Sequence, residues 1–563
     1  MLDLVIRNGT IVDGSGLPGY VGDVGISGKR IVSVGRSLAD VDAVRSIDAT
    51  ARTVTPGFID PHTHIDAQVL FDPYAFPCIE HGITTAVTGN CSLSMAPVRA
   101  SQRDRFSAMF RLIEEMPAAA FELGVDWRWG EGFAELIEQV ARDVSLNIAP
   151  LVGHSVLRMF VLGDDIRRPS TPQEIALMCD LLRACLDVGA VGLSTSYIDV
   201  EDDMLPVPCR WSEHRELEAL CSVLGEKNRM LQVVHEFFDT ELTISRIEMM
   251  GDLSRRYGIP TTLSPLFHNA AMPSGPLQVL GAVERECARG ARVWPQVQTR
   301  PIDISWTLEQ RSIMFLVIPG WWSVLSMPSK ADKLAALKDH GTRAQLIGGL
   351  DTLAAMPGSR LNAANFVIRE VALESNRDLV GRTLGDVATE RNSTPAETLI
   401  DLAVEEDLGT WFVRADIGHV DAQAVGELLA HPYVHVGASD AGAHVGSFST
   451  YGDTGHLFSK FVRETGAMRF EEAVKRITSD PAGIWGIPDR GALREGYAAD
   501  VVVLDRATID RGPEIASEDF PGDGHRWIRH SVGVEHVVVN GTPTWSAADG
   551  YNREARAGEI ATR

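Results

Sequence analysis

Two histidines separated by one residue stand out in the segment "GFIDPHTH". His62 and His64 follow a short apolar run, and in extended chain two residues at this spacing point to the same side. Both imidazoles can therefore bind one metal ion. Surface histidines also occur at this spacing, but a position at the end of a predicted strand favours a metal site, because barrel enzymes place their chemistry there.

The same kinds of side chain follow other predicted strands. Cys91 lies in the polar stretch "TAVTGNCSLSMAPV", just after a β-branched run, and the chain has only 16 histidines in total. Imidazole, thiolate and carboxylate are ligands that Zn²⁺ accepts. A Cys91 thiolate could bridge two ions, a role that a carboxylated lysine plays in many barrel hydrolases. The region around the fourth strand, "GAVGLSTSYID", contains no lysine that could do so. The remaining candidates at strand ends are His154, His235, His268 and Asp440.

Each candidate also has a purely structural interpretation. His154 or His268 could be a hydrogen-bonded core histidine, Cys91 a small buried apolar residue, and Asp440 the N-cap of the next helix. Their shared position at strand ends is what favours the metal site.

Eight short apolar runs alternate with amphipathic stretches, which predicts parallel strands crossed by helices in a (β/α)₈ barrel. The runs are "GFIDPHTH", "GITTAVTG", "NIAPLVGH", "GAVGLSTS", "MLQVVHE", "PTTLSPLFH", "RVWPQVQ" and "VHVGASD". We expect the α/β barrel to span residues 56–484, with a mostly helical insertion at about 300–430. Residues 1–55 and 485–545 predict one small β-sandwich domain built from both ends of the chain, and 546–563 a tail.

Composition excludes some functions. The 563 residues include 52 Lys and Arg against 76 Asp and Glu, a formal charge of −24. This balance argues against nucleic acid and anionic membrane surfaces as partners. A small-molecule substrate, with a possible homo-oligomer, is the remaining expectation.

The cysteine count and the apolar runs predict a soluble cytoplasmic protein. Seven cysteines in a long chain are typical of reduced thiols. The first residues, "MLDLVIRNGTIVDGSG", alternate like a strand rather than a signal peptide. The longest apolar run, residues 313–325, is shorter than the roughly 20 residues that span a bilayer.

Several motifs together resemble the amidohydrolase superfamily, and within it the N-acyl-D-amino-acid deacylase (D-aminoacylase) group. They run from one end of the chain to the other, and the segment with Cys91 is the most diagnostic. The motifs are "PGFIDPHTHIDAQVLFDP", "GITTAVTGNCSLSMAP", "LVGHSVLR", "GLSTS", "SDAGAH", "GALREGYAADVVVLD" and "VVVNG".

The resemblance implies a barrel with a β-sandwich and a site for one or two zinc ions. Cys91, His235 and His268 resemble the ligands of a tightly held ion. His62, His64 and Asp440 resemble those of a second ion, with Asp440 also as general base and acid. The implied reaction is hydrolysis of a linear amide, and His154 or Tyr197 is the expected donor to the oxyanion.

One departure bears on the substrate. In D-aminoacylases a lysine that helps to hold the substrate carboxylate closely follows the strand-six histidine, whereas here the sequence is "SPLFHNAAMPSG". Arg158 and Arg300 are alternative cations, unless they pair with structural carboxylates. Another amide, a cyclic imide or a carbamate is therefore an alternative substrate, and a non-catalytic scaffold a third possibility. Trp321 and Trp322 are expected either over the pocket or in a helix core or subunit contact.

Overall fold

The computed structural model describes residues 1–562 except residues 36, 271, 317, 357, 358, 360 and 438. In this part of the chain the strands are β1 (Leu2–Ile11), β2 (Tyr20–Ser27), β3 (Arg30–Val34), β4 (Ala43–Asp48), β5 (Thr53–Pro56), β6 (Phe58–Asp60), β7 (Ile83–Thr88), β8 (Asn147–Gly153), β9 (Gly192–Ser196), β10 (Met230–Val234), β11 (Thr261–Ser264), β12 (Val293–Val297), β13 (Ile302–Trp306), β14 (Val367–Glu370), β15 (Trp411–Gly418), β16 (His435–Val436), β17 (Val501–Leu504), β18 (Asp510–Phe520), β19 (Gly524–Val532), β20 (Val534–Val539), β21 (Thr542–Ser546) and β22 (Gly550–Tyr551).

The α-helices of the same residues are α1 (Arg103–Glu114), α2 (Ala118–Gly124), α3 (Phe133–Asp143), α4 (His154–Leu162), α5 (Pro172–Asp187), α6 (His214–Lys227), α7 (Thr240–Tyr257), α8 (Gly275–Ala288), α9 (Trp321–Leu325), α10 (Lys330–Lys338), α11 (His340–Ala354), α12 (Leu384–Arg391), α13 (Pro395–Glu405), α14 (Ala422–Ala430), α15 (Asp453–His456), α16 (Phe470–Arg476) and α17 (Ser479–Trp485). Residues Leu457–Glu464 form a π-helix.

The barrel consists of eight parallel strands in the order β6, β7, β8, β9, β10, β11, β12, β16. Each of the eight predicted runs contributes one of these strands, so that prediction is confirmed. Every residue of β7 and β8 is buried, as expected for strands covered on both faces. The two edge strands meet just beyond their carboxyl ends, where Thr63 and Ala441 form a parallel bridge. We call this junction the barrel seam.

Local sequence signals set the crossing helices. Helix α5 begins with a capping box: Thr171 accepts from the backbone of Glu174, whose side chain reaches back to the Thr171 backbone, and a proline occupies the first turn. This capping fixes where α5, the second helix between β8 and β9, begins.

Both ends of the chain meet in one sheet domain. Its strands run β22, β21, β20, β17, β5, β1, β2, β3, and β4 also pairs with β1, so the sheet branches there. The segment predicted as a tail belongs to the fold, because it contributes β22 and because Ile560 bridges Ile148 of the barrel. Strands β18 and β19 form a separate hairpin, the C-terminal hairpin.

The insertion has its own hydrophobic core and its own sheet. Helices α9 to α13 pack with the antiparallel strands β13, β15 and β14, which the helical prediction did not include. Trp321 is fully buried in that core, where its indole N–H donates to the carbonyl of Leu346. Of the two interpretations for Trp321, the helix core is therefore the one observed. Among the described residues, no helix is long and apolar enough to cross a membrane.

Candidate metal centre

The barrel seam brings two distant segments of the chain together. The amide of Asp440 donates to the carbonyl of His62 at 3.1 Å, and the amide of His64 donates to the carbonyl of Ala441 at 2.7 Å. These backbone bonds join the segment after β6 to the segment after β16. The side chains of His62, His64 and Asp440 consequently meet at the mouth of the barrel.

The ligand atoms of His62, His64 and Cys91 lie within metal-binding distance of one another at this point. The Nε2 atoms of His62 and His64 are 3.3 Å apart, and Cys91 Sγ lies 3.5 Å from each. Asp440 Oδ1 approaches the same two nitrogens at 3.4 and 3.3 Å. Tetrahedral zinc with its usual bond lengths separates two nitrogens, or a nitrogen and an oxygen, by about 3.3 Å, and a nitrogen and a sulfur by about 3.5 Å. The donor set therefore fits a zinc ion in both chemistry and spacing.

The other ring nitrogen of each histidine is held by an acceptor. His62 Nδ1 lies 2.9 Å from the side-chain oxygen of Gln296, and His64 Nδ1 lies 2.8 Å from a carboxylate oxygen of the buried Glu114. An acceptor at Nδ1 takes the ring proton and leaves the Nε2 lone pair for a metal. Both lone pairs then face the same point, an arrangement that favours a cation between them.

Burial and mutual charge shift the pKa values of this group. Burial lowers the pKa of His62 to about 4. Burial also opposes the charged form of His64, but Glu114 and Cys91 raise its pKa well above the ordinary value. Burial raises the pKa of the Cys91 thiol. For Asp440, the effect of burial is outweighed by His64, His62 and His444, which lower the pKa of the carboxyl.

Backbone strain is concentrated at the same place. Cys91, Ser92, Asp440 and His444 all have positive φ, at 54°, 67°, 65° and 51°. Residues other than glycine rarely adopt this region, and the cost is tolerated mainly where surrounding contacts fix the backbone for function. Here Ser194 helps to fix it, because its hydroxyl accepts from the Ser92 amide at 3.1 Å.

The structure leaves His235 and His268 outside the close group. Among the described residues, the atoms within metal-binding distance of one another belong to His62, His64 and Cys91. His235 Nδ1 donates to the carbonyl of Ser264 at 3.2 Å, and burial lowers the pKa of His235 to about 4. His268 lies four residues beyond the end of β11, where its amide donates to His419.

His154 is buried in a structural ion cluster, which corrects its expected role at the oxyanion. Its Nδ1 lies 3.0 Å from the Thr195 hydroxyl and its Nε2 lies 2.8 Å from Glu216. Arg158 contacts the other carboxylate oxygen of Glu216 at 2.5 Å. Both imidazole nitrogens are therefore occupied, and Arg158 takes the structural alternative considered for it.

Tyr197 and Arg300 also contact other groups. The Tyr197 hydroxyl lies 3.6 Å from Met249 Sδ, and the guanidinium of Arg246 stacks 3.6 Å from its ring centre. Arg300 is buried and donates to the Ser439 carbonyl at 2.9 Å, next to Asp440. Neither side chain is brought into the group of His62, His64, Cys91 and the adjoining Asp440 by these contacts.

Sequence reasoning missed the supporting residues. Glu114 ends helix α1, Gln296 lies inside β12, and His444 follows Asp440 by four residues. His444 Nε2 lies 3.9 Å from Asp440 Oδ2. No sequence spacing relates Glu114 to the metal ligands. Gln296, in contrast, is a polar residue within an apolar strand and could have been noticed for that reason.

Comparisons with known proteins identify the family of this chain. The sequence matches the Amidohydro_3 amidohydrolase family over residues 45–196 and 351–544. It is 29% identical to N-acyl-D-glutamate deacylase from Alcaligenes xylosoxydans xylosoxydans, covering 99% of this chain and 96% of that protein. It is 26% identical to D-aminoacylase from the same organism, covering 96% and 94%.

The fold matches a solved relative along its whole length. The crystal structure of N-acyl-D-glutamate deacylase from Bordetella bronchiseptica, complexed with zinc and a phosphonate inhibitor, superposes with a TM-score of 0.69 at 24% identity, with both chains covered completely. The family match covers more than half of the residues and includes both segments of the barrel seam. The chain therefore belongs to the amidohydrolase family of metal-dependent hydrolases.

Proposed function

We propose that the protein is a zinc-dependent amidohydrolase that cleaves a linear amide C–N bond. The observation that carries this proposal is that the ligand atoms of His62, His64 and Cys91 lie within metal-binding distance of one another, with Asp440 Oδ1 against both histidines. Together with Cys91, His235 and His268 are proposed as ligands of the tightly held ion, and His62, His64 and Asp440 as ligands of a second ion. A bound zinc ion would supply Lewis acidity, lowering the pKa of water toward about 7 and polarising a carbonyl.

Asp440 is the proposed proton carrier. Its Oδ1 atom lies against His62 and His64, whereas Oδ2 faces His444 at 3.9 Å, and the side chain is 31% exposed. Burial opposes its charge, but the neighbouring imidazoles lower the pKa of this carboxyl and keep it ionised. An ionised carboxylate at this position is proposed to accept the proton of the attacking water. The same carboxyl then delivers that proton to the departing amine nitrogen, which balances the hydrolysis.

The proposed substrate class is an N-acyl amino acid, with the D enantiomer favoured by the names of the relatives. Asn269 follows His268 where the D-aminoacylase group has a lysine nearby. This difference supports another amide, cyclic imide or carbamate as the second candidate.

Metal analysis combined with a substrate panel tests the proposal. We expect zinc-loaded protein to hydrolyse at least one of a set of N-acyl-D-amino acids, N-acyl-L-amino acids, hydantoins and carbamates. Cys91→Ala should lose bound zinc and activity, whereas Cys221→Ala, a buried cysteine on α6, should keep both. Equal zinc content in the two variants would remove Cys91 from the site.

A further inference from the structure

A cavity of about 480 Å³ lies between three parts of the molecule and is not used by the metal centre. Arg111 of α1 lines it from the barrel, Trp306, Arg311 and Trp411 from the insertion, and His525 from the C-terminal hairpin. We call it the aromatic cavity. Cavities at such junctions are preferred places for small ligands.

The aromatic cavity adjoins the metal centre. Glu115 and Ser447 are also part of its wall. Glu115 directly follows Glu114, the carboxylate that holds His64, and it lies 3.8 Å from His444 Nδ1. On its other side His444 is 3.9 Å from Asp440. A single imidazole ring therefore separates the cavity wall from the proposed proton carrier.

One wall of the cavity offers flat aromatic surfaces. The rings of Trp411 and His525 stack with centres 4.6 Å apart and planes 30° from parallel. Trp527 supports both rings edge-on, at 5.3 and 5.0 Å. Trp411 and His525 are only half-buried, so this supported pair presents surface to the cavity. Such rings bind planar groups by stacking.

The guanidinium of Arg111 makes only weak contacts within the protein. Its Nε donates to the carbonyl of Ser107 at 3.2 Å, and Nη1 lies 3.8 Å from Glu122, whose side chain is 70% exposed. An exposed pair at this distance contributes little. Arg311, by contrast, donates to Asp202 at 2.9 Å.

The acidic residues of the cavity wall are engaged elsewhere or exposed. Glu115 pairs with His444, and Asp523 is exposed in the turn of the hairpin. Arg111 therefore remains the group best placed to meet an anionic ligand, and guanidinium matches a carboxylate in shape and charge.

We propose that the aromatic cavity binds the part of the substrate that carries a planar ring and a carboxylate, with Arg111 pairing the carboxylate and the Trp411–His525 pair stacking on the ring. This inference rests on the proposed function and narrows its substrate class to amides of aromatic acids or aromatic amino acids. It also supplies a cation for the substrate in place of the missing lysine.

Binding of three small probes to the zinc-loaded protein tests this directly by calorimetry. Phenylacetate has the ring and the charge, phenylacetamide lacks the charge, and cyclohexylacetate lacks the planar ring. We expect phenylacetate to bind at least tenfold more tightly than either analogue. Arg111→Gln should remove the preference over phenylacetamide, and Trp411→Leu the preference over cyclohexylacetate.

Arg105→Gln is the matched control, because Arg105 lies on the same helix, pairs with Glu201 and does not line the cavity. It should bind phenylacetate as the wild type does. Phenylacetate binding that is unchanged in both Arg111→Gln and Trp411→Leu would overturn the proposal, since it would place the probe elsewhere, for example at the metal.

Hydrolysis assays distinguish a failure of the cavity proposal from a failure of the proposed amidase function. The substrates are N-acyl-phenylalanine and N-acyl-alanine, each as the free acid and as the C-terminal amide. Arg111→Gln should raise KM for N-acyl-phenylalanine with its free carboxylate about tenfold and leave kcat nearly unchanged. Hydrolysis that is unaffected by Arg111→Gln would reject the cavity and leave the amidase intact. Arg111-dependent probe binding without any hydrolysis would reject the amidase and leave the cavity.

Discussion

Two buried clusters that contain histidine lie at the ends of β6 and β8 of the same barrel, and they are built for different purposes. At the barrel seam, His62 and His64 direct their Nε2 atoms toward each other and toward Cys91. Behind β8, His154 contacts Thr195 and Glu216 with its two nitrogens. Histidine and glutamate occur in both clusters, but only the first has ring nitrogens left for a ligand.

The partners of the second ring nitrogen make the difference. Gln296 and Glu114 each take one nitrogen at the seam, so the other is available there. In the second cluster Glu216 is shared between His154 and Arg158, so its carboxylate contacts both side chains. We therefore expect changes at the seam to affect catalysis and changes at Glu216 to affect stability.

The largest expected effect is at the proton carrier. Asp440→Asn keeps the size of the side chain but removes its basicity, so kcat should fall by about 10² to 10⁴-fold, the usual contribution of a general acid and base. Stopped assays on zinc-loaded protein, with thermal melting in parallel, measure this. Asp239→Asn, at the N-cap of α7 where asparagine also caps, is the control. A kcat within a factor of three of wild type would contradict the role of Asp440.

Glu216→Gln should lower the stability of the protein and leave its activity unchanged. It leaves the Arg158 charge, which is fully buried, without its carboxylate, and breaking a buried pair in this way costs about 3 to 5 kcal/mol of unfolding free energy. Zinc content and kcat should stay unchanged while the protein is folded. Urea denaturation measures the loss, and Glu218→Gln, on the same helix in a more exposed pair, should change stability by less than about 1 kcal/mol. Equal stabilities for these two variants would show that the cluster is not structural.

Glu114→Gln tests whether the support behind His64 matters to the metal. Loss of such an outer partner typically weakens metal affinity about 10- to 100-fold. Competition with a chromophoric chelator measures the zinc dissociation constant, and Glu218→Gln should leave it unchanged. If Glu114→Gln bound zinc as tightly as the wild type, the carboxylate would not be orienting His64.

The barrel and the core of the site could be predicted because both depend on local pattern. Apolar runs fixed the eight strands, and the ends of those runs pointed to His62, Cys91 and Asp440. The spacing of His62 and His64 was enough to place both rings on one side, because a two-residue separation depends only on local geometry.

The remaining features depend on long-range packing. Nothing near His154 in the sequence reveals Glu216, which lies 62 residues later and occupies its ring. Glu114 likewise reaches His64 only because α1 folds back over the seam. The strands of the insertion were missed because its helices dominate the periodicity, and Trp321 and Trp322 could not be assigned to core or pocket from apolarity alone.

The smallest expected effect is a difference in acid sensitivity between wild type and Glu216→Gln. Burial raises the pKa of Glu216, but His154 and Arg158 lower it more, from an ordinary value of 4.5 to about 2. A carboxyl with a lowered pKa stabilises the fold fully above its unfolded pKa and loses that contribution as the pH falls toward the folded value. Between pH 7 and pH 4 the wild type should lose about 1 kcal/mol through this group. Urea denaturation of both proteins at the two pH values measures the difference, because other carboxyls titrate equally in both. If Glu216→Gln lost as much stability as the wild type, Glu216 would not be ionised and paired in the folded protein, and the contrast between the two histidine clusters would fail.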